Sequence, residues 1–166
     1  MENALNLAAW SNIYVILGSS SAGLVGLLFI VTSLHLEKIS KNPILRRRAN
    51  HRTIYLFVLL IEALLVLMPQ PVHALSIEIV AVNLFGMGFP MRNVYRYCFE
   101  GRKSAHKEDW AIMRAVRYIF GFSLGVAGGV ALLRQSVWAM YLVTASSVTM
   151  LILVALNAWS LMFTRD

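Results

Sequence analysis

Five long apolar runs, separated by short polar segments, constrain this chain more than any other feature of its sequence. They cover residues 12–36, 53–68, 74–91, 110–133 and 137–163. A helix needs about 20 mostly apolar residues to cross the hydrocarbon core of a bilayer. In a chain of 166 residues, these runs leave no room for a separate soluble catalytic domain. The pattern predicts an all-α membrane protein with five spans, folded as one transmembrane domain over residues 1–166.

The composition agrees with that class, because 58% of the residues are hydrophobic and only 14% are charged. Such a balance leaves too few polar side chains to coat a water-soluble globule. The second run is short for a span, but Asn42-Pro43 resembles a helix N-cap followed by proline at the first helical position. We therefore predict one helix over residues 43–68. In the third run, Gly86 and Pro90 predict a kink.

The Lys and Arg residues predict the orientation. With five spans and the N-terminus outside, 14 of the 15 Lys and Arg residues lie on the cytoplasmic side, and only Arg134 lies outside. Cytoplasmic loops carry such an excess of Lys and Arg. A four-span alternative would merge two runs or make one re-entrant, and it would spoil this asymmetry. The charges lie between apolar runs, so the formal net charge of +7 indicates membrane topology, not nucleic-acid binding.

The sequence carries no motif typical of an enzyme, a metal site or a cofactor site. Cys98 is the only cysteine, so the chain forms neither an internal disulfide nor a multi-Cys metal site. The four histidines fall at predicted membrane boundaries or in loops, where no two can hold a haem in mid-membrane. The pattern Gly-x-Ser-x-Gly at residues 121–125 lies inside an apolar run and not at the strand-to-helix turn of a nucleophile elbow, and no His-Glu-x-x-His motif occurs. We therefore predict no catalysis, no metal and no cofactor.

Small residues recur at four-residue spacing in two of the spans. Such rows let helix backbones approach closely in lipid, where hydrophobicity does not hold helices together. The spacing does not say whether the partner is another span of the same chain or a second subunit. We expect a homo-oligomer, because a five-helix unit of this size encloses little space of its own. The two rows are Gly18, Ala22 and Gly26 in the first span and Gly121, Gly125 and Gly129 in the fourth.

Two acidic residues inside predicted spans indicate a candidate functional site. Glu62 lies about 9 Å, and Glu78 roughly 5 Å, inside the outer ends of their helices. The turn between the two helices is short, which predicts similar depths for the two carboxyl groups. His73 belongs to the same outer layer, and Asn83 is a candidate to line a path deeper in the membrane. A carboxylate in hydrocarbon is costly, so it usually faces a cavity, a partner or a conduction path.

Three interpretations of the acidic pair stay open at this stage. The first is structural, a local hydrogen bond or a salt bridge to Arg134. The second is a cation or proton site repeated around an oligomer, since rings of acidic side chains select cations. The third is a small-ligand pocket open to the outer face. At the opposite face, a basic cluster is expected to attract anionic lipid headgroups; its members are Arg46, Arg47, Arg48 and Arg52.

The first span also carries a resemblance. The stretch WSNIYVILGSSSAGL with VGLLF, at residues 10–29, is similar to the opening helix of a group of small bacterial multi-span proteins of unassigned function. Some members of that group are labelled as modulators of a membrane-bound protease. The resemblance covers the first span and its exit loop and assigns no functional residue. It implies the inner membrane of a bacterium.

These observations lead to two functional expectations. The first is an oligomeric channel or transporter subunit that passes small ions, either cations or protons, through a path lined by the acidic residues. The second is a non-enzymatic accessory or regulatory subunit that docks on another membrane complex through its glycine-rich helix faces.

Overall fold

The computed structural model describes residues 7–34, 36, 43–100 and 105–162, and these residues form helices and short turns. The five helices are α1 (Leu7–Leu34), α2 (Pro43–Leu67), α3 (Val72–Glu100), α4 (Ala105–Leu133) and α5 (Ala139–Met162). Each contains a segment long and apolar enough to cross a membrane, between 18 and 26 residues in length. The predicted all-α fold with five membrane-spanning helices is confirmed.

The helix boundaries follow local sequence signals. Helix α2 begins at Pro43, as predicted, because proline at the first helical position lacks only an N–H that would have no partner within the helix. Helix α3 continues through Pro90 to Glu100, so it extends well beyond the apolar run. Since proline has no N–H, the hydrogen bond from position 90 to the carbonyl of Gly86 is missing from this helix.

A tight turn joins α4 to α5, and its geometry is that of a Schellman motif. The Ser136 N–H donates to the Ala131 carbonyl at 3.0 Å, and the Gln135 N–H donates to the Leu132 carbonyl at 2.9 Å. Gln135 has a φ of 52°, in the left-handed region. Glycine is the usual residue at this position, because its missing Cβ removes the steric cost of a positive φ.

Replacing Gln135 by glycine is therefore expected to stabilise the protein by about 0.5–1 kcal/mol. This gain is the strain energy relieved in the folded protein minus the free-energy cost of the greater flexibility that glycine gives the unfolded chain. Thermal unfolding of the purified protein in detergent measures the effect. Gln70→Gly serves as the comparison, since Gln70 lies in a different turn and is not among the residues with positive φ. An unchanged or lower melting temperature for Gln135→Gly would contradict the assignment of strain to this turn.

The described residues fall into two compact units, which we treat separately. The α1–α2 unit consists of the described residues within Asn6–Pro69 and Val148–Asp166. In it, the Ser21 hydroxyl donates to the Leu56 carbonyl at 2.7 Å. A Cβ placed on Gly18 would lie 3.2 Å from the Cβ of Ala63. Because residue numbers fall along α2 as they rise along α1, the two helices pack antiparallel.

The α3–α4 unit consists of Gln70–Ser147 and includes the first turns of α5. The Ser76 hydroxyl of α3 donates to the Gly129 carbonyl of α4 at 2.5 Å. The Ser146 hydroxyl of α5 donates to the Gly121 carbonyl at 2.7 Å. Helix α4 therefore packs against α3 and against the beginning of α5, and a side-chain hydroxyl reaches its backbone from each.

Candidate functional site

Glu62 is a buried acid in the apolar part of α2. Its side chain is 1% exposed, and it lies between hydrophobic residues that are themselves buried, including Leu59, Ala63 and Val66. The helical period explains this burial, since positions 59, 62, 63 and 66 lie on one side of an α-helix. The structure thus places a carboxyl group inside the protein part of a span, where a charge is costly.

Glu78 lies on α3, on a different side of the helix from the contact with α4. Ser76 faces α4, and a side chain two positions further along points about 200° away from it. Glu78 is nevertheless half-buried, and no hydrogen bond from the described residues reaches its buried Oε2. A hydrogen bond from Arg134 to this oxygen, which the structural interpretation allowed, is therefore not formed.

Glu62 belongs to the α1–α2 unit and Glu78 to the α3–α4 unit, so each acid is described within its own unit. That the two carboxyl groups share one layer stays a prediction. His73 and Arg134 are exposed in the α3–α4 unit. These exposed side chains can reach a surrounding aqueous or headgroup phase, unlike Glu62.

Asn83 packs in the interface between α3 and α4. It is 1% exposed, and its Nδ2 donates to the Ile79 carbonyl of its own helix at 2.9 Å. Its amide group lies against Gly125, where a Cβ would collide with the Asn83 Oδ1. The proposed role of Asn83 in lining a path stays a prediction. What the structure adds is a packing role against a glycine.

The fourth-span glycine row lies in helix–helix contacts within the chain. A Cβ on Gly129 would come 2.7 Å from the Val80 Cγ2 of α3. The neighbouring Gly128 contacts α5, where an added Cβ would come 2.8 Å from the Val143 backbone nitrogen. With Gly125 against Asn83 and the Gly121 carbonyl accepting from Ser146, each glycine of the row has a partner in the α3–α4 unit.

The first-span row is covered only at one end. Gly18 packs against Ala63 of α2, but Ala22 and Gly26 are exposed. A Cβ added to Gly26 would meet nothing within 4 Å, and the same holds for Gly23, an exposed glycine three residues earlier. In the apolar part of α1 only 17% of the residues are buried, against 44% in α2. Small residues at the same four-residue spacing are thus buried in α4 and mostly exposed in α1.

Arg52 is a buried cation of α2. Sequence analysis placed it with the basic cluster at the headgroup layer, but its side chain is only 5% exposed, which leaves little surface for a lipid headgroup. It lies on the side of the helix that carries Leu56 and Ala63, which contact α1. Helical periodicity places Arg52 on the same side of α2 as Ala63, and this pattern would have predicted the burial of Arg52. The side chains of Arg46, Arg47 and Arg48 lie outside the described residues.

The polar residues of the spans mostly bond to the backbone. Ser147 and Asn157 donate to carbonyls four residues earlier in their own helix, at 2.9 Å and 2.7 Å. Among the described residues, no three His, Cys, Asp or Glu side chains converge on a point where they could hold a metal ion. The chemistry available to the candidate site is therefore that of single carboxyl groups in spans, which can bind a cation or accept and release a proton.

Comparison of the chain with protein-family models, with curated proteins and with solved structures finds no match. The described residues contain five helices suited to spanning a membrane, and each of the two units has one acidic residue within these spans, Glu62 in one and Glu78 in the other.

Proposed function

We propose that this chain is a subunit of an oligomeric membrane channel or transporter that passes cations or protons, with Glu62 and Glu78 as its ion-binding groups. The observation that carries the proposal is the burial of Glu62, 1% exposed within the apolar part of α2. An ionisable side chain inside a span is rare because it is costly, and in membrane proteins it commonly marks an ion or proton pathway.

Glu78 supports the same function from the second unit. Its Oε2 is buried, and no described residue donates a hydrogen bond to it. A buried carboxylate oxygen that lacks a donor is expensive in a purely structural role. A site that exchanges a cation, a proton or a water molecule gives that oxygen a ligand during function.

We infer the oligomer from the exposed face of α1. Its exposed Ala22, Gly23 and Gly26 form a flat surface of small residues, the kind of surface on which helices associate in lipid. Packing of this face against another subunit would build an assembly large enough to share a conducting path. Following the positive-inside rule, we place the N-terminus outside, and from the resemblance of the first span we place the protein in a bacterial inner membrane.

The test is ion flux into liposomes that contain the purified protein. We expect the wild-type protein to raise cation or proton flux and Glu62→Gln to lower it at least about tenfold, because the amide has the same shape but does not ionise. Ser123→Ala, at an exposed position of α4, is the control and should conduct as wild type. Liposomes that stay tight with correctly folded wild-type protein would overturn the proposal.

The open face of α1 also favours a second candidate, a non-conducting accessory or regulatory subunit that docks there on another membrane complex. Single-cysteine variants separate the two candidates. With Cys98 replaced by serine, Gly26→Cys puts one thiol on this face. Oxidation in native membranes should give self-adducts if the chain is a channel subunit. It should give a stoichiometric adduct with a different protein if the chain is an accessory subunit.

A further inference from the structure

Three side chains that can exchange protons lie on one side of α2. They are His51, Tyr55 and Glu62, at spacings of four and seven residues. Positions four and seven apart lie close to one another around an α-helix, since seven residues complete almost two turns. We call this set the α2 proton row. All three belong to the α1–α2 unit.

The row runs through the buried part of the helix. Tyr55 is 3% exposed and Glu62 is 1% exposed, while His51 is half-buried at the end nearer the basic residues. The rings of His51 and Tyr55 are neighbours, with centroids 6.3 Å apart and planes tilted by 31°. Helical side chains lean toward the N-terminus of their helix, so Glu62 leans toward Tyr55 and Tyr55 toward His51.

We propose that the ion transferred is the proton, and that the α2 proton row connects Glu62 with the cytoplasmic end of α2. This inference rests on the function proposed above and names its substrate. A sodium or potassium ion needs several oxygen ligands to replace its water shell. Between Glu62 and Tyr55 this side of α2 carries the buried apolar side chains of Val58 and Leu59 instead. A proton needs only groups that both accept and release it.

The transfer is balanced at each group. The protonated Glu62 carboxyl releases its proton to the water molecules between it and Tyr55 and becomes a carboxylate, which then takes a new proton from the outer side. The water molecules pass a proton on to Tyr55. Tyr55 accepts a proton on its hydroxyl oxygen as its own hydroxyl proton passes to the neutral His51 ring. His51 becomes an imidazolium and releases the proton at the cytoplasmic end. Glu62 and Tyr55 are about 10 Å apart along the helix, with Val58 and Leu59 beside the gap, so a transient single file of water molecules must bridge this step; such a file passes a proton but does not admit a cation with its water shell.

The experiment measures proton and sodium fluxes separately in proteoliposomes. One set of vesicles encloses a pH-sensitive dye, the other a sodium-sensitive dye, and potassium with valinomycin sets the membrane potential. We expect proton flux with wild-type protein, a loss of at least about tenfold with Glu62→Gln, and a similar loss with Tyr55→Phe, which removes only the hydroxyl. Tyr141→Phe, at an exposed tyrosine of α5, is the matched control and should leave the flux unchanged.

The outcomes distinguish this inference from the proposed function. A sodium flux that depends on Glu62, without proton flux, would overturn the proton inference and leave the channel proposal standing. Absence of both fluxes would overturn both. Proton flux that persists in Tyr55→Phe and in His51→Gln would overturn the route through the α2 proton row. Elution as a single oligomeric peak verifies folding, and His51→Gln, at a half-buried position, keeps the test available if Tyr55→Phe does not fold.

Discussion

Replacing Gly128 by alanine is expected to destabilise the α3–α4 unit by about 1–3 kcal/mol, the usual cost of adding a methyl group to a filled interior. The added Cβ would lie 2.6 Å from the Val143 Cγ2, 2.8 Å from the Val143 backbone nitrogen and 3.2 Å from the Ala139 carbonyl oxygen. Two of these three atoms are backbone, so α5 itself must shift to make room. Thermal unfolding in detergent measures the loss, which should appear as a lower melting temperature.

The matched control is the same substitution at Gly26 in α1. There an added Cβ meets nothing within 4 Å, so Gly26→Ala should keep or raise the stability of the isolated chain, because alanine favours a helix by up to about 1 kcal/mol. Equal losses at Gly128 and Gly26 would contradict the contacts described for α4. A loss at Gly26 that appears only in lipid, and not in dilute detergent, would show instead that α1 packs against another subunit.

The five spans follow from the sequence because apolar run length is a direct consequence of bilayer thickness. Local signals also place some helix ends. Pro43 begins α2 for the same reason that proline is common at first helical positions. The extension of α3 to Glu100 is less visible in the sequence, because a hydropathy pattern marks where a helix leaves the lipid and not where its hydrogen bonds end.

The two rows of small residues show where sequence reasoning stops. The spacing of Gly121, Gly125 and Gly129 equals that of Gly18, Ala22 and Gly26, yet the first row is covered by α3 and α5 and most of the second is exposed. Spacing within one helix reports the shape of that helix's face. Which helix covers the face depends on the folding of the whole chain, and that information is not local.

For the candidate site, too, the sequence identifies some residues correctly and misses the packing of others. Glu62 and Glu78 stand out in the sequence because acids are rare in apolar runs. The burial of Arg52 was missed, because its position at the edge of a basic segment suggested a headgroup contact. The buried neighbours of Arg52 on the helix surface, such as Leu56 and Ala63, are four and eleven residues away. Helical periodicity counted from these residues predicts that Arg52 is buried, whereas the basic residues next to it in the sequence suggest that it is exposed.

Replacing Arg52 by methionine is expected to destabilise the α1–α2 unit by about 3 kcal/mol. The Arg52 side chain is 95% covered and takes part in interactions within the described structure. Methionine keeps the long stem but removes the charge and every donor, so the interactions of the Arg52 side chain are lost in a buried setting. Thermal unfolding of Arg52→Met and wild type, in the same lipid-free detergent, gives the measurement.

Arg92→Met is the matched control, because Arg92 is exposed on α3 and its loss should change stability by less than about 0.5 kcal/mol. Lipid dependence separates a structural role from headgroup binding. If Arg52 acts inside the unit, Arg52→Met lowers the melting temperature whether or not anionic lipid is present. If Arg52 binds headgroups instead, the variant should match wild type without lipid and lose only the gain that added anionic lipid provides. The 5% exposure of Arg52 predicts the first result, since a guanidinium with so little free surface acts on its own protein.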